Sequence, residues 1–212
     1  MTFIILITAA YLLGSIPFGL IIAKAHGKDL RTIGSGNIGA TNVSRALGRK
    51  WAYLCFLLDA LKGFVPTLVA VLLISAAPTV TDLLMTLAVG VAAILGHIFP
   101  IYLKFKGGKG VTTSFGVALG LWPFYTVCAL FAFVVWTVVV LIWRYVSLAS
   151  IIASVAFPLA LVLAIILVPD WQLLQLWPLL IAATAIPVMV ILRHRENIKR
   201  LAAGTESKIF QR

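Results

Sequence analysis

Long stretches of the chain contain no charged residue. The six longest cover residues 1–23, 63–81, 83–103, 110–143, 145–169 and 171–192. Because a helix crosses the hydrocarbon layer with about 20 apolar residues, these runs predict transmembrane helices. The second run is extended backwards by residues 51–58, which places Asp59 and Lys62 inside a helix. These two side chains are one helical turn apart, so we expect them to pair and lower the cost of their burial.

The composition excludes a soluble globular domain. Of the 212 residues 62% are hydrophobic and 11% are charged, whereas soluble domains carry about 25% charge. A disordered chain is excluded too, because such chains are poor in apolar residues. Cys55 and Cys128 lie inside apolar runs without metal-ligating neighbours, so neither a disulfide nor a metal site is predicted. We therefore expect an all-α polytopic membrane protein, with residues 1–212 forming a single domain.

The positive charges are unevenly distributed. There are 17 Lys and Arg against 6 Asp and Glu, a net charge of +11. Apart from Lys62, the basic residues lie in segments 24–50, 104–109 and 193–212 and at position 144. By the positive-inside rule these segments are cytoplasmic and the N-terminus is outside. The excess charge indicates an anionic leaflet, an anionic substrate or both. A nucleic-acid partner is not expected, because the chain has no soluble face to bind one.

The charge pattern also constrains the number of crossings. The chain is predicted to be inside at Lys109 and outside at Asp170, so an odd number of helices must lie between them. The 34-residue run 110–143 is long enough for two short helices with a turn near Trp122-Pro123. This gives seven short helices with a cytoplasmic C-terminus. A version with five spans and one long tilted helix remains open.

The first polar motif is the loop from Gly34 to Asn42. Its pattern of glycines matches G-x-G-x-x-G, but it joins two membrane helices rather than a strand and a helix, so no dinucleotide site is predicted. Glycine backbone N–H groups can still turn towards an anion. The alternative is a flexible connector, which explains less well why two Asn, a Ser and a Thr stand so close together.

The second polar motif extends from Lys104 to Thr113 and contains Lys106-Gly107-Gly108-Lys109-Gly110 at the opening of a predicted helix. It is not a Walker A motif, because glycine follows Lys109 where Ser or Thr is needed. Backbone N–H groups, the helix dipole and the ammonium group would converge there on an anion. The alternative is a basic flank of a membrane helix, which explains the lysines but not the paired glycines.

Two further motifs lie on the predicted cytoplasmic side. Ser147 stands one turn inside a helix, where it could equally be a functional serine or a packing serine. His194 and Asn197 are three residues apart and share a helix face, with Arg200 three further on. The cations around His194 favour its neutral form, which suits a hydrogen-bond acceptor. His97 lies inside a span and is interpreted as a packing donor.

Together these four motifs resemble the acyl-phosphate-dependent glycerol-3-phosphate acyltransferases of bacterial membranes. The resemblance extends from the Tyr11–Gly19 segment to Gly204-Thr205-Glu206, with the motifs in the family's order. It implies transfer of an acyl chain from acyl phosphate to glycerol 3-phosphate, which gives lysophosphatidic acid. It also implies a multi-pass protein of the bacterial cytoplasmic (inner) membrane whose active site faces the cytoplasm. Acyl phosphate and glycerol 3-phosphate would be its substrates and membrane lipid its surroundings, with no cofactor and no metal.

The resemblance also implies roles for individual residues. Catalytic roles fall on Ser35, Lys109, His194 and Asn197. Binding of phosphate and other substrate groups falls on Gly36, Asn37, Asn42, Arg45, Gly107, Gly108, Gly110 and Ser147. In this scheme His194 and Asn197 orient the glycerol hydroxyls, and Gly107, Gly108 and Gly110 offer backbone N–H groups.

The reaction itself makes modest demands on the protein. An acyl phosphate is an activated anhydride with a good leaving group, so positioning and charge neutralisation are the main tasks. Either His194 or a substrate phosphate accepts the hydroxyl proton, and the resemblance favours the substrate.

A small organic-anion transporter or channel is the alternative from another functional class. Intramembrane cations and broken helices would fit it. Against it, nearly every polar group lies at one predicted interface rather than near the middle of the membrane.

Overall fold

The described part of the chain consists of helices and the loops that join them. The computed structural model describes residues 1–75 and 77–209, which form ten α-helices and two short 3-10 turns. In chain order the helices are α1 Thr2–Gly14, α2 Phe18–Ala25, α3 Ala40–Leu47, α4 Arg49–Leu72, α5 Val80–Ile98, α6 Val111–Gly120, α7 Phe124–Trp143, α8 Val146–Leu167, α9 Leu173–Leu192 and α10 Arg195–Ala202. The 3-10 turns are Leu30–Thr32 and Ile101–Leu103. The prediction of an all-α chain is confirmed.

Six helical segments of the described chain are long and apolar enough to cross a membrane. They are Thr2–Ala25, Arg49–Leu72, Val80–Leu103, Phe124–Trp143, Val146–Leu167 and Leu173–Leu192. Helix α6 is apolar but has only 10 residues, a length of about 15 Å against a hydrocarbon core of about 30 Å. The predicted multi-pass architecture is therefore confirmed, while the count of seven crossings and the orientation of the termini stay predictions.

The apolar runs 1–23 and 110–143 each contain a break between two helices. The run 110–143 breaks between α6 and α7, at the predicted turn around Trp122-Pro123. The first run, predicted to be one span, also breaks, between α1 and α2. Pro17 has no backbone N–H to donate to a continuing helix, and α2 begins at the next residue, Phe18.

The chain divides into two compact units. The first, unit 1, contains residues 1–75 and 85–121, and so holds α1 to α4, α6 and most of α5. The second, unit 2, contains the described residues of 76–84 and 122–212, and so holds α7 to α10 and the start of α5. The expectation that residues 1–212 act as one domain stays a prediction.

In unit 1, α4 and α6 pack with their backbones in close contact. A Cβ atom at Gly116 of α6 would lie 2.0 Å from the carbonyl oxygen of Ala60 on α4. A Cβ at Gly63 of α4 would lie 2.4 Å from the carbonyl oxygen of Thr113 on α6. Small residues allow this approach, as they do between membrane helices generally. A larger side chain at either glycine would force the two helices apart.

The predicted ion pair of α4 is present within this packing. Nζ of Lys62 lies 2.8 Å from Oδ1 of Asp59, and their side chains are only 2% and 4% exposed. Lys62 also donates to the carbonyl oxygen of Ile16, 2.9 Å away, in the break between α1 and α2. The pairing prediction is confirmed, and the pair is tied to the α1–α2 break.

In unit 2, the end of the chain folds back on the turn between α7 and α8. Arg144 makes that turn with a left-handed backbone, at φ +64. Its carbonyl oxygen accepts a hydrogen bond from the N–H of Ile209 at 2.7 Å. Elsewhere in the unit, the Tyr125 hydroxyl on α7 donates to the carbonyl of Leu179 on α9. The bond from Ile209 to Arg144 holds the segment after α10 beside the start of α8.

Candidate active site

Both polar loops of unit 1 are anchored on one apolar cluster, called here the loop-support cluster. Its buried members are Leu20, Ile22, Ala23, Leu30, Ile38, Val43, Ala46 and Cys55. Ile33, at the start of the first loop, packs against it, and so does Leu103, which precedes the glycine-rich loop. Burial of these apolar side chains gives the two loops a common foundation.

Asn42 holds the first loop together. Its Oδ1 accepts a hydrogen bond from the N–H of Ser35 at 3.2 Å. Its Nδ2 donates to the carbonyl oxygens of Leu30, Ile33 and Asn37 at 3.0, 2.9 and 2.8 Å. The side chain is fully buried, at 1% exposure. The Asn42 amide therefore holds the backbone of the loop in place, and the phosphate contact predicted for it stays a prediction.

Ser35 and Arg45 are the groups that this loop presents outwards. Both residues are exposed, and Cδ of Arg45 lies 3.3 Å from the position of a Cβ on Gly34, so the arginine stem packs along the loop. The Asn37 side chain bonds within the loop instead, where its Oδ1 accepts the N–H of Gly39 at 3.0 Å. A hydroxyl and a guanidinium on one short element suit a phosphate oxygen.

The paired glycines of the second loop pack against the end of α5. The N–H of Gly107 donates to the carbonyl of Ile98 at 3.2 Å, and the N–H of Gly108 donates to the carbonyl of His97 at 3.1 Å. The end of α5 thus accepts both of the N–H groups that were predicted to bind substrate, and their role in binding stays a prediction. A Cβ on Gly108 would lie 2.1 Å from Nε2 of His97. Glycine is needed here for close packing.

The second half of the anion site predicted at this loop consists of Lys109 and the start of α6. Lys109 is half-buried and directly precedes Gly110, the N-cap of α6, which has a left-handed backbone at φ +84. The first N–H groups of α6 have no intrahelical acceptor, and the helix dipole favours an anion at that end. The ammonium group of Lys109 and the start of α6 are groups that suit a phosphate.

In unit 2 the polar groups converge on Glu206. Oε1 of Glu206 accepts hydrogen bonds from the Ser147 hydroxyl at 2.7 Å and from Nδ2 of Asn197 at 2.6 Å. Oε2 accepts from Nε of Arg200 at 2.7 Å. The Glu206 side chain is 6% exposed. Glu206 was not predicted as a site residue, although an acid in so basic a terminal segment was a usable signal.

The charge on Glu206 is stabilised by these donors. Burial by itself would raise the pKa of the carboxyl, but hydrogen bonds from Arg200, Asn197 and Ser147 outweigh it and hold the pKa below its ordinary value. The ionised carboxylate then fixes a serine hydroxyl, an amide and a guanidinium in one place. The structure brings the predicted Ser147 and Asn197 together through this residue.

His194 is the N-cap of α10, the helix that carries Asn197. Its Nδ1 lies 2.8 Å from the carbonyl oxygen of Val190, so Nδ1 carries the proton and donates it. In the neutral ring the lone pair is then on Nε2, the form that accepts a hydrogen bond. His194 and Asn197 are both buried, at 3% and 6% exposure.

The comparisons with known proteins identify the family. A family model described as glycerol-3-phosphate acyltransferase matches residues 4–204. The chain belongs to this family. The glycerol-3-phosphate acyltransferase of Geobacter sulfurreducens is 49% identical over 206 residues, which is 97% of this chain and 96% of that protein. That of Aquifex aeolicus is 47% identical over 203 residues, 96% of this chain and 97% of that protein.

Solved structures agree with the sequence relatives. The glycerol 3-phosphate form of PlsY, an integral membrane glycerol 3-phosphate acyltransferase, is 44% identical and covers 100% of both chains with a TM-score of 0.86. The lysophosphatidic acid form of PlsY has a TM-score of 0.84 at the same identity and covers 99% of this chain and 96% of that one. The chain is an integral membrane acyltransferase, and the transporter alternative is set aside.

We expect the acyltransferase to lose stability in acid through Glu206. Because the folded pKa of Glu206 lies below its ordinary value of 4.5, its contribution to the free energy of unfolding is fully present above that value. It is lost as the pH falls through the lower, folded value. The melting temperature of the purified protein, followed from about pH 6 to about pH 3, should therefore decline less steeply in Glu206→Gln than in the wild type.

Glu196→Gln is the matched control for this measurement. The Glu196 side chain is 58% exposed and lies near Arg195 and Lys199, so its replacement should leave the decline almost as steep as in the wild type. An unchanged pH profile in Glu206→Gln would show that the carboxylate does not hold this segment.

Proposed function

We propose that the enzyme transfers an acyl chain from acyl phosphate to glycerol 3-phosphate, giving 1-acyl-glycerol 3-phosphate (lysophosphatidic acid) and inorganic phosphate. The reaction takes place at the cytoplasmic face of the bacterial inner membrane. The resemblance of the four motifs to acyl-phosphate-dependent enzymes supports this donor. The glycerol 3-phosphate and lysophosphatidic acid forms of PlsY supply the acceptor and the product of a relative.

One observation in the structure carries the proposal. Unit 1 carries two cationic elements, Ser35 with Arg45 and Lys109 at the start of α6. Ile33, two residues before Ser35, and Leu103, which precedes the loop of Lys109, both pack against the loop-support cluster. Each element suits one phosphate group, and the proposed reaction brings two phosphates together. An acyl phosphate carries its charge directly at the reacting carbonyl, so a phosphate site is also a site for the leaving group.

The proposed step forms one bond and breaks one. The hydroxyl oxygen on carbon 1 of glycerol 3-phosphate attacks the acyl carbon and forms the ester. The bond from that carbon to the phosphate oxygen breaks, and the electron pair leaves with inorganic phosphate. The hydroxyl proton goes to a substrate phosphate oxygen, whose second pKa is near 6 by analogy with phosphorylated side chains.

The chain's own residues position the substrates and neutralise charge. Arg45, Ser35 and Lys109 bind phosphate oxygens and oppose the negative charge that develops on the leaving group. His194 accepts a hydrogen bond from a glycerol hydroxyl at Nε2, because Nδ1 is committed to Val190. Asn197 and Ser147 contribute polar groups whose orientation Glu206 sets.

We further propose that residues 1–212 work as one acyltransferase domain with seven crossings. The family match over 4–204 includes residues of both units. If α6 did not cross, Arg144 and the basic C-terminal segment would lie outside, against the positive-inside rule. With α6 crossing, the N-terminus is outside and every basic segment is cytoplasmic.

The donor is tested with purified protein. Glycerol 3-phosphate and a long-chain acyl phosphate should yield lysophosphatidic acid and one equivalent of inorganic phosphate. The same acyl chain supplied as a coenzyme A thioester should yield none, because the sites proposed here fit a phosphate bonded directly to the acyl carbon. Product from the thioester at a comparable rate would overturn the proposed donor.

The topology is tested by labelling single introduced cysteines with an impermeant thiol reagent. Cys55 and Cys128 are buried, so they should not react. Arg144→Cys should react only after the cells are opened, whereas Asp170→Cys should react in intact cells. Labelling of position 144 from outside would contradict seven crossings.

The phosphate contacts are tested by removing single charges. Loss of a charge-assisted contact costs roughly 1.5–3 kcal/mol, so Arg45→Ala and Lys109→Ala should each lower kcat/KM about ten- to a hundredfold. The matched controls are the exposed Lys24→Ala and Lys106→Ala, which should change it little. Equal losses in all four variants would mean that general surface charge is responsible.

The role of His194 is tested by two substitutions. If His194 orients the glycerol, His194→Asn keeps a hydrogen-bonding side chain and should retain more activity than His194→Ala, with KM for glycerol 3-phosphate raised in both. Loss of a general base costs about 10²–10⁴-fold whichever side chain replaces it. Equal inactivity of both variants, with added imidazole rescuing only His194→Ala, would make His194 the base instead.

A further inference from the structure

An ionic cluster that the proposed reaction does not use lies buried beside the glycine-rich loop. This buried ionic cluster consists of Asp59, Lys62 and His97. Oδ1 of Asp59 lies 2.8 Å from Nζ of Lys62 and 3.7 Å from Nδ1 of His97. The three side chains are 2–5% exposed. Neither the four motifs nor the proposed reaction assigns a role to these three residues.

The buried ionic cluster contacts the loop on both sides of Lys109. The carbonyl of His97 accepts the N–H of Gly108 at 3.1 Å, and the imidazole lies directly against the Gly108 backbone. On the other side, the Thr113 hydroxyl in the first turn of α6 donates to the carbonyl of Asp59 at 3.0 Å. The residue before Lys109 and the helix after it thus rest on the cluster.

The buried ionic cluster also has contacts outside the glycine-rich loop, with the α1–α2 break and with the loop-support cluster. Lys62 donates to the carbonyl of Ile16 in the α1–α2 break at 2.9 Å. Sγ of Cys55, a member of the loop-support cluster, lies 3.6 Å from Oδ2 of Asp59. A displacement of Asp59 would therefore move the support of Lys109 relative to the rest of unit 1.

Stability does not by itself explain why charges stand here. Ionised groups in a membrane helix are costly. Replacing a buried ion pair by apolar residues of similar volume is often neutral or stabilising, whereas removal of one partner is strongly destabilising. The contacts with the loop supply another reason for the pair to be where it is.

We propose that Asp59, Lys62 and His97 are positioning residues, which set the place of Lys109 against its phosphate through the glycine-rich loop. The inference rests on the proposed phosphate contact of Lys109. A small displacement of a binding group is enough to cost about a hundredfold in rate, so the precise placement of this loop governs activity.

The test is a double-mutant cycle on kcat/KM with purified enzyme. The combined variant Asp59→Asn/Lys62→Met removes both charges at once and leaves neither unpaired. In the wild-type background it should lower kcat/KM about ten- to a hundredfold with a melting temperature near that of the wild type. In the Lys109→Ala background it should cost less than about twofold more, because the contact through which it acts is already gone.

A buried polar residue of the same helix provides the control. The Thr67 hydroxyl on α4 is fully buried and bonds to the carbonyl of Gly63, 2.8 Å away in its own helix. Thr67→Val should leave kcat/KM nearly unchanged in both backgrounds. A loss equal to that of the combined variant would mean that any polar change inside α4 has the same effect.

Several outcomes would overturn the proposal. They are an undiminished kcat/KM in the combined variant, or an equal fold-loss in the wild-type and Lys109→Ala backgrounds. If the combined variant does not fold, His97→Gln takes its place in the same cycle with the same expectations. If neither folds, the cluster is required for folding and the positioning role is rejected. Wild-type activity in Lys109→Ala alone would instead remove the phosphate contact on which the proposed function depends.

Discussion

A polar group buried away from water, whether between membrane helices or inside a packed loop, must find its hydrogen-bond partner within the protein. The Asp59–Lys62 pair meets this constraint in α4, with the α1–α2 break supplying a further acceptor at Ile16. Asn42 meets it in the first loop by bonding to four backbone groups. Glu206 meets it after α10 by accepting from three side chains. These internal partnerships fix the loops that carry the candidate site.

The need for internal partners distinguishes two kinds of polar residue among the four motifs. Asn42 and Glu206 are consumed by internal bonds, and their effect on the reaction is to hold other groups in place. Ser35, Arg45 and Lys109 are exposed or half-buried, and they are the groups proposed to meet phosphate. An acyl phosphate is already activated, so an enzyme built mainly from fixed donors and cations is sufficient for its reaction.

Sequence patterns predicted what depends on local chemistry. Charge-free runs gave the apolar helices, the length of one run gave its break near Pro123, and the spacing of Asp59 and Lys62 gave their pairing. The direction of the Gly108 N–H was not predictable, because its acceptor belongs to His97, eleven positions earlier along the chain. The role of Glu206 was missed because its Ser147 partner is 59 residues away in sequence. Tertiary contacts of this kind leave no local pattern.

The central claim is that the cations of this chain recognise phosphate, and equilibrium binding of isotopically labelled glycerol 3-phosphate to the purified protein tests it most directly. We expect saturable binding that inorganic phosphate displaces and that glycerol, which lacks the charged group, does not displace at the same concentration. Displacement by glycerol as effective as displacement by phosphate would contradict the account, because recognition would then depend on the hydroxyls rather than on charge.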